Sequence, residues 1–268
     1  MSSVSCIVEG GVATLTLSSP QTCNAIDVTI IREMHRALDQ LQRPDSGTCA
    51  VVLTGSGEAF CSGVDLHSVD LKSLESRQRA HFEMRRFLDP LILRLSKFHH
   101  PIVAAVNGAA TGVGMSLALA CDIIVMSEEA VLWPSFAHLG LVPDAGVTFR
   151  LARRIGGGRS LAALLLAEKI DAQKAREWGL AYSVVPTPDV LAQSQSIARR
   201  LAAGPRAVLG QIRHLHASAF DNSLQEQMRA ERSAQEALGE TLNCVEGVRA
   251  FFEKREPHFE SHRGKGMS

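Results

Sequence analysis

The chain has 268 residues, 46% of them hydrophobic, with 28 Lys plus Arg balancing 28 Asp plus Glu. That length and apolar content support one sizeable core with a smaller appendage, and the zero net charge excludes the broad basic surface of a nucleic-acid binder. The six cysteines form no Cys-x-x-Cys pair and have no His at zinc-ligand spacing, which argues against a metal site or a disulfide framework.

Met1 to Gly10 lacks the basic-then-apolar pattern of a signal peptide and the Arg-rich character of a transit peptide. The most apolar run, Leu117 to Met126, is cut by Asp122 and is too short to span a bilayer. A soluble, cytoplasmic protein without nucleic-acid or membrane partners is expected.

In chain order, Val12 to Leu17 alternates at period two and predicts a strand with one buried face. From Val28 to Leu41 the apolar residues recur at 30, 31, 34, 38 and 41, a helical spacing. Ala50 to Thr54 is a nearly continuous apolar run before Gly55-Ser56-Gly57, which suits a strand buried on both faces. A long helix is predicted from about Leu74 to Phe98, followed by a buried strand at Ile102 to Val106. A helix from about Gly112 to Cys121 and a strand at Ile123 to Met126 come next. The basic runs Arg153-Arg154 and Arg199-Arg200 fall in helical stretches and are expected on solvated faces. The repeated order of strand, turn and helix predicts an α/β core with parallel pairing. Pro186-Thr187-Pro188 breaks this pattern and only helical spacing follows, so a core over 1–188 and a helical region over 189–268 are expected.

Two glycine-rich turns each lead from a buried strand into a helix, Gly55 to Leu66 and Val106 to Met115. Glycine lets backbone approach a ligand closely, and a helix start leaves N–H groups free, so such turns can hold negative charge on an oxygen. Glycine content alone equally describes ordinary strand-to-helix turns. Gly112-Val113-Gly114 lacks the third glycine of a dinucleotide fingerprint, because Leu117 stands there. No phosphate-binding P-loop and no G-x-S-x-G nucleophile turn occurs.

An ordered series of segments resembles the crotonase, or enoyl-CoA hydratase/isomerase, family. It comprises Asn24-Ala25-Ile26, Ala59-Phe60-Cys61-Ser62-Gly63-Val64-Asp65-Leu66, Ala105 to Gly114, Leu119 to Asp122 and Gly140-Leu141-Val142-Pro143-Asp144-Ala145-Gly146. Ile170 to Leu180 and Phe251 to Phe259 extend it over nearly the whole chain. The resemblance implies an α/β spiral of ββα units with a C-terminal helical trimerisation region, assembled as a homotrimer or hexamer. It implies a thioester substrate whose coenzyme A belongs to the substrate, with no other cofactor and no metal. The two oxyanion N–H groups fall on Val64 and Val113; the family usually has glycine at the second position, and the Val113 side chain is expected to narrow the approach. Contact with the CoA ester is implied at Asn24, Ala25, Ser62, Gly63, Val64, Asp65 and Leu66, and at Gly112, Val113 and Phe136. Lys254, beside Arg255, falls where basic residues of the family reach the CoA phosphates, or else at a solvated helix end.

The proton must be moved by a side chain. The two glutamates of the family's hydratases fall on Ser116 and Phe136 here, and no Asp or Glu lies between Val131 and Pro143. Asp144 remains, at a place where several isomerases of the family carry an Asp or Glu. It is expected to be the sole acid/base of a double-bond shift, the alternative being a turn residue that caps the next helix. Asp65 is expected as an N-cap, Ser116 as a back-bonded helix residue, and His67 and His138 as polar or packing residues. Trp133 and Phe136 read equally as an acyl pocket or as core. The expected activity is an acyl-CoA isomerase; the alternatives are a hydratase with an atypical acid/base and a non-catalytic CoA-ester-binding protein.

Overall fold

The computed structural model of the chain describes residues 3–68, 70 and 72–259. Met1 and Ser2 of the N-terminal stretch, and 260–268 of the C-terminal helical region, lie outside the described residues. β1 (Ser3–Glu9) and β2 (Val12–Ser18) form an antiparallel hairpin. The helix read at Val28 to Leu41 is α1 (Val28–Leu41) with the same ends, and the Asp27 side chain accepts from Ile30 N–H at 2.7 Å. Such a cap typically contributes about 1 kcal/mol.

Three times the chain then lays down a longer strand, a three-residue strand and helix. The first turn is β3 (Ala50–Gly55), β4 (Ala59–Cys61), α2 (Leu74–Glu83) and α3 (Asp89–Ser96). The second is β5 (Ile102–Val106), β6 (Ala109–Thr111) and α4 (Val113–Ala120). The third is β7 (Ile123–Ser127), β8 (Val131–Trp133), α5 (Val147–Ile155) and α6 (Gly157–Leu165). After β9 (Ile170–Asp171), α7 (Ala172–Glu177) and β10 (Ser183–Val185), the chain is helical: α8 (Val190–Ala202), α9 (Arg206–Ser218), α10 (Leu224–Gly239) and α11 (Leu242–Glu253).

The longer strands build a six-stranded sheet in the order β1-β2-β3-β5-β7-β10, parallel from β2 onward. The short ones build a second sheet, β4-β6-β8-β9. This is the spiral of ββα units. β3 and β5 are buried at every residue, which their unbroken apolar runs predict. One face of the large sheet packs on α1, α3 and α4, and the other receives Val190, Ile197 and Ala198 of α8. The first helix after Pro188 therefore lies on the sheet.

One helix differs from expectation. The stretch read as continuous from Leu74 to Phe98 is α2, a wide π turn at Met84–Leu88, and α3. Pro90 has no N–H to donate and its ring crowds the preceding turn, so a regular α-helix cannot run through it. The Asp89 N–H instead reaches back five residues to the Met84 carbonyl.

Candidate active site

The turn after β4 is held from two sides. Ile26 N–H donates to the Gly63 carbonyl at 2.6 Å, and Asp65 N–H donates to the Ile26 carbonyl at 3.0 Å. In this one-residue parallel bridge the flanking residues bond to Ile26, so the N–H of Val64 itself points to the other side. The neighbouring segment is the start of α4. Gly63 has φ +106°, and a Cβ added to it would lie 3.1 Å from the Thr111 carbonyl and 3.9 Å from the Val113 nitrogen. A Cβ on Gly114 would lie only 2.1 Å from the Cys61 carbonyl. Both glycines exist to let the β4 turn and α4 touch backbone to backbone.

Val113 opens α4, so its N–H has no intrahelical acceptor, and no side chain caps this helix. Contrary to expectation, the Val113 side chain does not narrow the approach. It is 2% exposed and belongs to the main core, while the N–H stays at the helix tip. Phe136 lies close by: its ring would be 3.8 Å from a Cβ on Gly112. Trp133 is engaged elsewhere, donating from its indole N–H to the Ala167 carbonyl at 2.9 Å and packing against Lys169 and His138.

Several residues expected near the CoA ester have their side chains engaged within the fold. The Asn24 side chain is fully buried; it accepts from Ser19 N–H at 2.9 Å and donates to the Ser56 and Ala59 carbonyls at 2.8 Å each. No polar atom of that amide is left to face a ligand, and its role is to tie the loop before α1 to the turn before β4. The Ser62 hydroxyl likewise donates to the Thr22 carbonyl at 2.7 Å, and Ala25 is buried. Asp65 accepts from His67 N–H at 2.9 Å, a capping bond that begins the short turn Leu66–Ser68. Ser116 is buried and bonds back to the Gly112 carbonyl at 3.3 Å. Lys254 is an exposed left-handed residue closing α11.

Asp144 sits on the loop from Gly140 to Gly146. Its carbonyl accepts from Val147 N–H at 3.1 Å, and Ala145 (φ 47°) and Gly146 (φ 79°) are both left-handed, so the chain reverses sharply just before α5. The side chain does not cap that helix: Gly146 is the N-cap and no side-chain bond is made there. Asp144 keeps one face open to solvent, yet its carboxyl is pushed above the usual carboxylate range. Desolvation against the protein is the main cause, and the negative charge of Asp89 adds to it; the Asp144 N–H and His81 pull the other way. His81 and Asp89 stand on α2 and α3, on either side of the wide turn. Nothing in their local sequence marked them.

Two arginines join the elements that carry Val113 and Asp144. Arg154, expected on a solvated face, is half-buried and donates to the Cys121 carbonyl at 2.6 Å and the Leu119 carbonyl at 3.3 Å. Arg150 donates to the Leu119 carbonyl at 3.3 Å and to the Ser96 hydroxyl. They satisfy the open C-terminal carbonyls of α4 from α5, fixing the helix that begins at Val113 against the helix that follows Asp144. The neighbouring Arg153 does face outward, stacked 3.4 Å from the centre of the Phe149 ring.

This arrangement sits on a chain that belongs to the enoyl-CoA hydratase/isomerase family, whose model matches residues 8–262. The chain is 37% identical over 252 residues to the 1,2-epoxyphenylacetyl-CoA isomerase of Escherichia coli (strain K12), covering 94% of this chain and 96% of that one. It is also 37% identical over 254 residues to a Rhodobacter capsulatus protein named "Probable enoyl-CoA hydratase", covering 94% and 95%. The crystal structure of an enoyl-CoA hydratase from Polaromonas sp. JS666 superposes with a TM-score of 0.89 at 32% identity, covering 96% of this chain and all of the other. The chain is thus an enzyme of the enoyl-CoA hydratase/isomerase type with the crotonase fold. Among the described residues no helix is long and apolar enough to cross a membrane.

Proposed function

We propose that the chain is an acyl-CoA isomerase that moves a carbon–carbon double bond through a dienolate, with Asp144 as the only acid/base. Asp144 takes a proton from C2 of a 3-enoyl thioester, and the electron pair moves onto the thioester oxygen. The N–H groups of Val64 and Val113 hold that oxygen. Asp144 then returns the proton at C4, leaving the double bond between C2 and C3. Each oxyanion donor of this kind is worth roughly 10²- to 10³-fold in rate.

The observation that carries this reading is the condition of Asp144. Its carboxyl keeps one face open to solvent, is raised in pKa and is not engaged in capping α5, while the two positions of the hydratase glutamates hold a back-bonded Ser116 and the ring of Phe136. A carboxylate with a raised pKa is a stronger base toward C2, and it lies nearer the operating pH, where it can hold the proton and hand it back at C4. Asp144→Asn is expected to lower turnover of a 3-enoyl-CoA by about 10³-fold while leaving acyl-CoA binding intact. Full activity in that variant ends the proposal.

Hydration is the second reading, favoured by the hydratase names among relatives of similar identity. Formation of 3-hydroxybutyryl-CoA from crotonyl-CoA would replace the isomerase reading with it, and acyl-CoA binding without turnover of any enoyl-CoA would favour a binding protein. A homo-oligomer is part of the proposal. Exposed apolar side chains on the C-terminal helices, among them Ile212, Leu224, Met228, Val248, Phe251 and Phe252, support it.

A further inference from the structure

Gly112, at the start of α4, has φ 53° and ψ −116°, angles that only glycine adopts readily. At that ψ the Val113 nitrogen eclipses the direction in which a Cβ would leave Gly112. The Val113 N–H therefore points over the space that a side chain at 112 would fill, and an oxygen held by it lies in that space. Outside the chain neighbours, the nearest atoms to such a Cβ are Cζ and Cε1 of Phe136, at 3.8 and 3.9 Å, and Oγ of Ser135, at 3.8 Å.

Ser135 opens the short turn Ser135–Leu139 and is only 8% exposed. Its hydroxyl makes no hydrogen bond among the described residues. The partnerless side-chain atoms at Thr48, His100, Ser183 and Arg206 are sealed from solvent, but the Ser135 oxygen is not one of them. The small exposed part of this residue thus includes its hydroxyl. A hydroxyl in so buried a residue is ordinarily paired, so one left free and facing a crevice points to a ligand. Ser135 Oγ and the Val113 N–H are two free donors on one space, and the Phe136 ring closes another side of it.

We propose that the Ser135 hydroxyl is a third donor to the thioester oxygen, beside the N–H groups of Val64 and Val113. This rests on the oxyanion role given to those two groups, and it holds for double-bond shift and hydration alike. As negative charge gathers on the thioester oxygen, the Ser135 O–H turns toward it and its proton stays on Oγ. A hydrogen bond to the charged oxygen is stronger than one to the neutral carbonyl, so the hydroxyl favours the enolate over the ground state.

Infrared difference spectra of butyryl-CoA, isotope-labelled at the thioester carbonyl, test this. Butyryl-CoA has no double bond to shift or hydrate and no other acyl oxygen, so the band reports only the donors around that carbonyl. Bound to the parent chain, the band should fall below its position in water. Bound to Ser135→Ala, part of that fall should be lost. The same substitution should lower kcat about tenfold or more, and KM much less, on whichever of 3-hexenoyl-CoA and crotonyl-CoA is turned over. It should leave Tm unchanged, because no internal hydrogen bond is removed. The same band position in parent and variant overturns the proposal and leaves the two N–H donors standing. No fall of the band in the parent removes the oxyanion role itself, and the third donor with it.

Discussion

The turn at Gly63 and Val64 with the start of α4, and the loop from Phe136 to Gly146, belong to one candidate site but are specified differently. The first is made of backbone. Its geometry depends on missing Cβ atoms at Gly63 and Gly114, and it tolerates valine at position 113 because that side chain goes into the core. The second depends on the identity of one side chain, Asp144, and on charges from a distant stretch of chain, Asp89 and His81. Backbone donors survive many substitutions provided the packing holds. A proton carrier is lost with a single atom.

Substitutions in each region sharpen that contrast. Gly114→Ala is expected to have the largest effect, because the new methyl collides with the Cys61 carbonyl and neither backbone can yield cheaply. Destabilisation of about 3 kcal/mol or more should appear as a large fall in Tm by circular dichroism. Val113→Ala removes a buried isopropyl group and should cost about 2 kcal/mol in denaturant titration. Its turnover per folded molecule should stay within about threefold, since the N–H remains; a fall of roughly 10²-fold would show that the side chain, not the backbone, matters there.

Asp89→Asn tests the other region. Removing that negative charge relieves the ionised form of Asp144, so the acid limb of the kcat/KM profile should move to lower pH with little change in the plateau. The same coupling has a sign for stability. The folded carboxyl of Asp144 is raised, so its protonated form stabilises the fold at acidic pH, and that contribution is lost as pH rises through the folded pKa. Asp144→Asn should therefore be more stable than the parent at neutral pH, with the gain vanishing below the unfolded carboxyl pKa. Ser116→Ala is expected to change least. It removes a 3.3 Å back-bond, shifts stability by about 0.5 kcal/mol or less and leaves turnover unchanged.

The longer elements were legible because each carries its own period. α1 and β5 have the ends read from apolar spacing alone. The strands β4, β6 and β8 are three residues each, too short for alternation to show; the segments of β4 and β6 read only as turns, and that of β8 reads as no element. In the candidate site, Phe136 lies beside Gly112, and the turn at Gly63 comes up against the backbone of Val113. The side chains of Asn24 and Ser62 are taken up by backbone partners, which no motif can reveal, because a motif records a position and not the direction of its side chain. Arg154 was misread for the same reason: beside Arg153 it looks solvated, but successive helix residues point about 100° apart and one of the two faces inward. His81 and Asp89 become neighbours of Asp144 only through tertiary folding.

The wide turn at Met84–Leu88 amounts to one residue more than a regular helix would hold. Removing one residue there would rotate α2 against α3 by about 100° and draw it in by about 1.5 Å. His81 would then swing to another side of the helix from Asp89, although neither had changed. The charge environment of Asp144 is thus set by a count of residues in a segment more than fifty positions before it in the chain, so an insertion or deletion there would change that environment while leaving every motif intact.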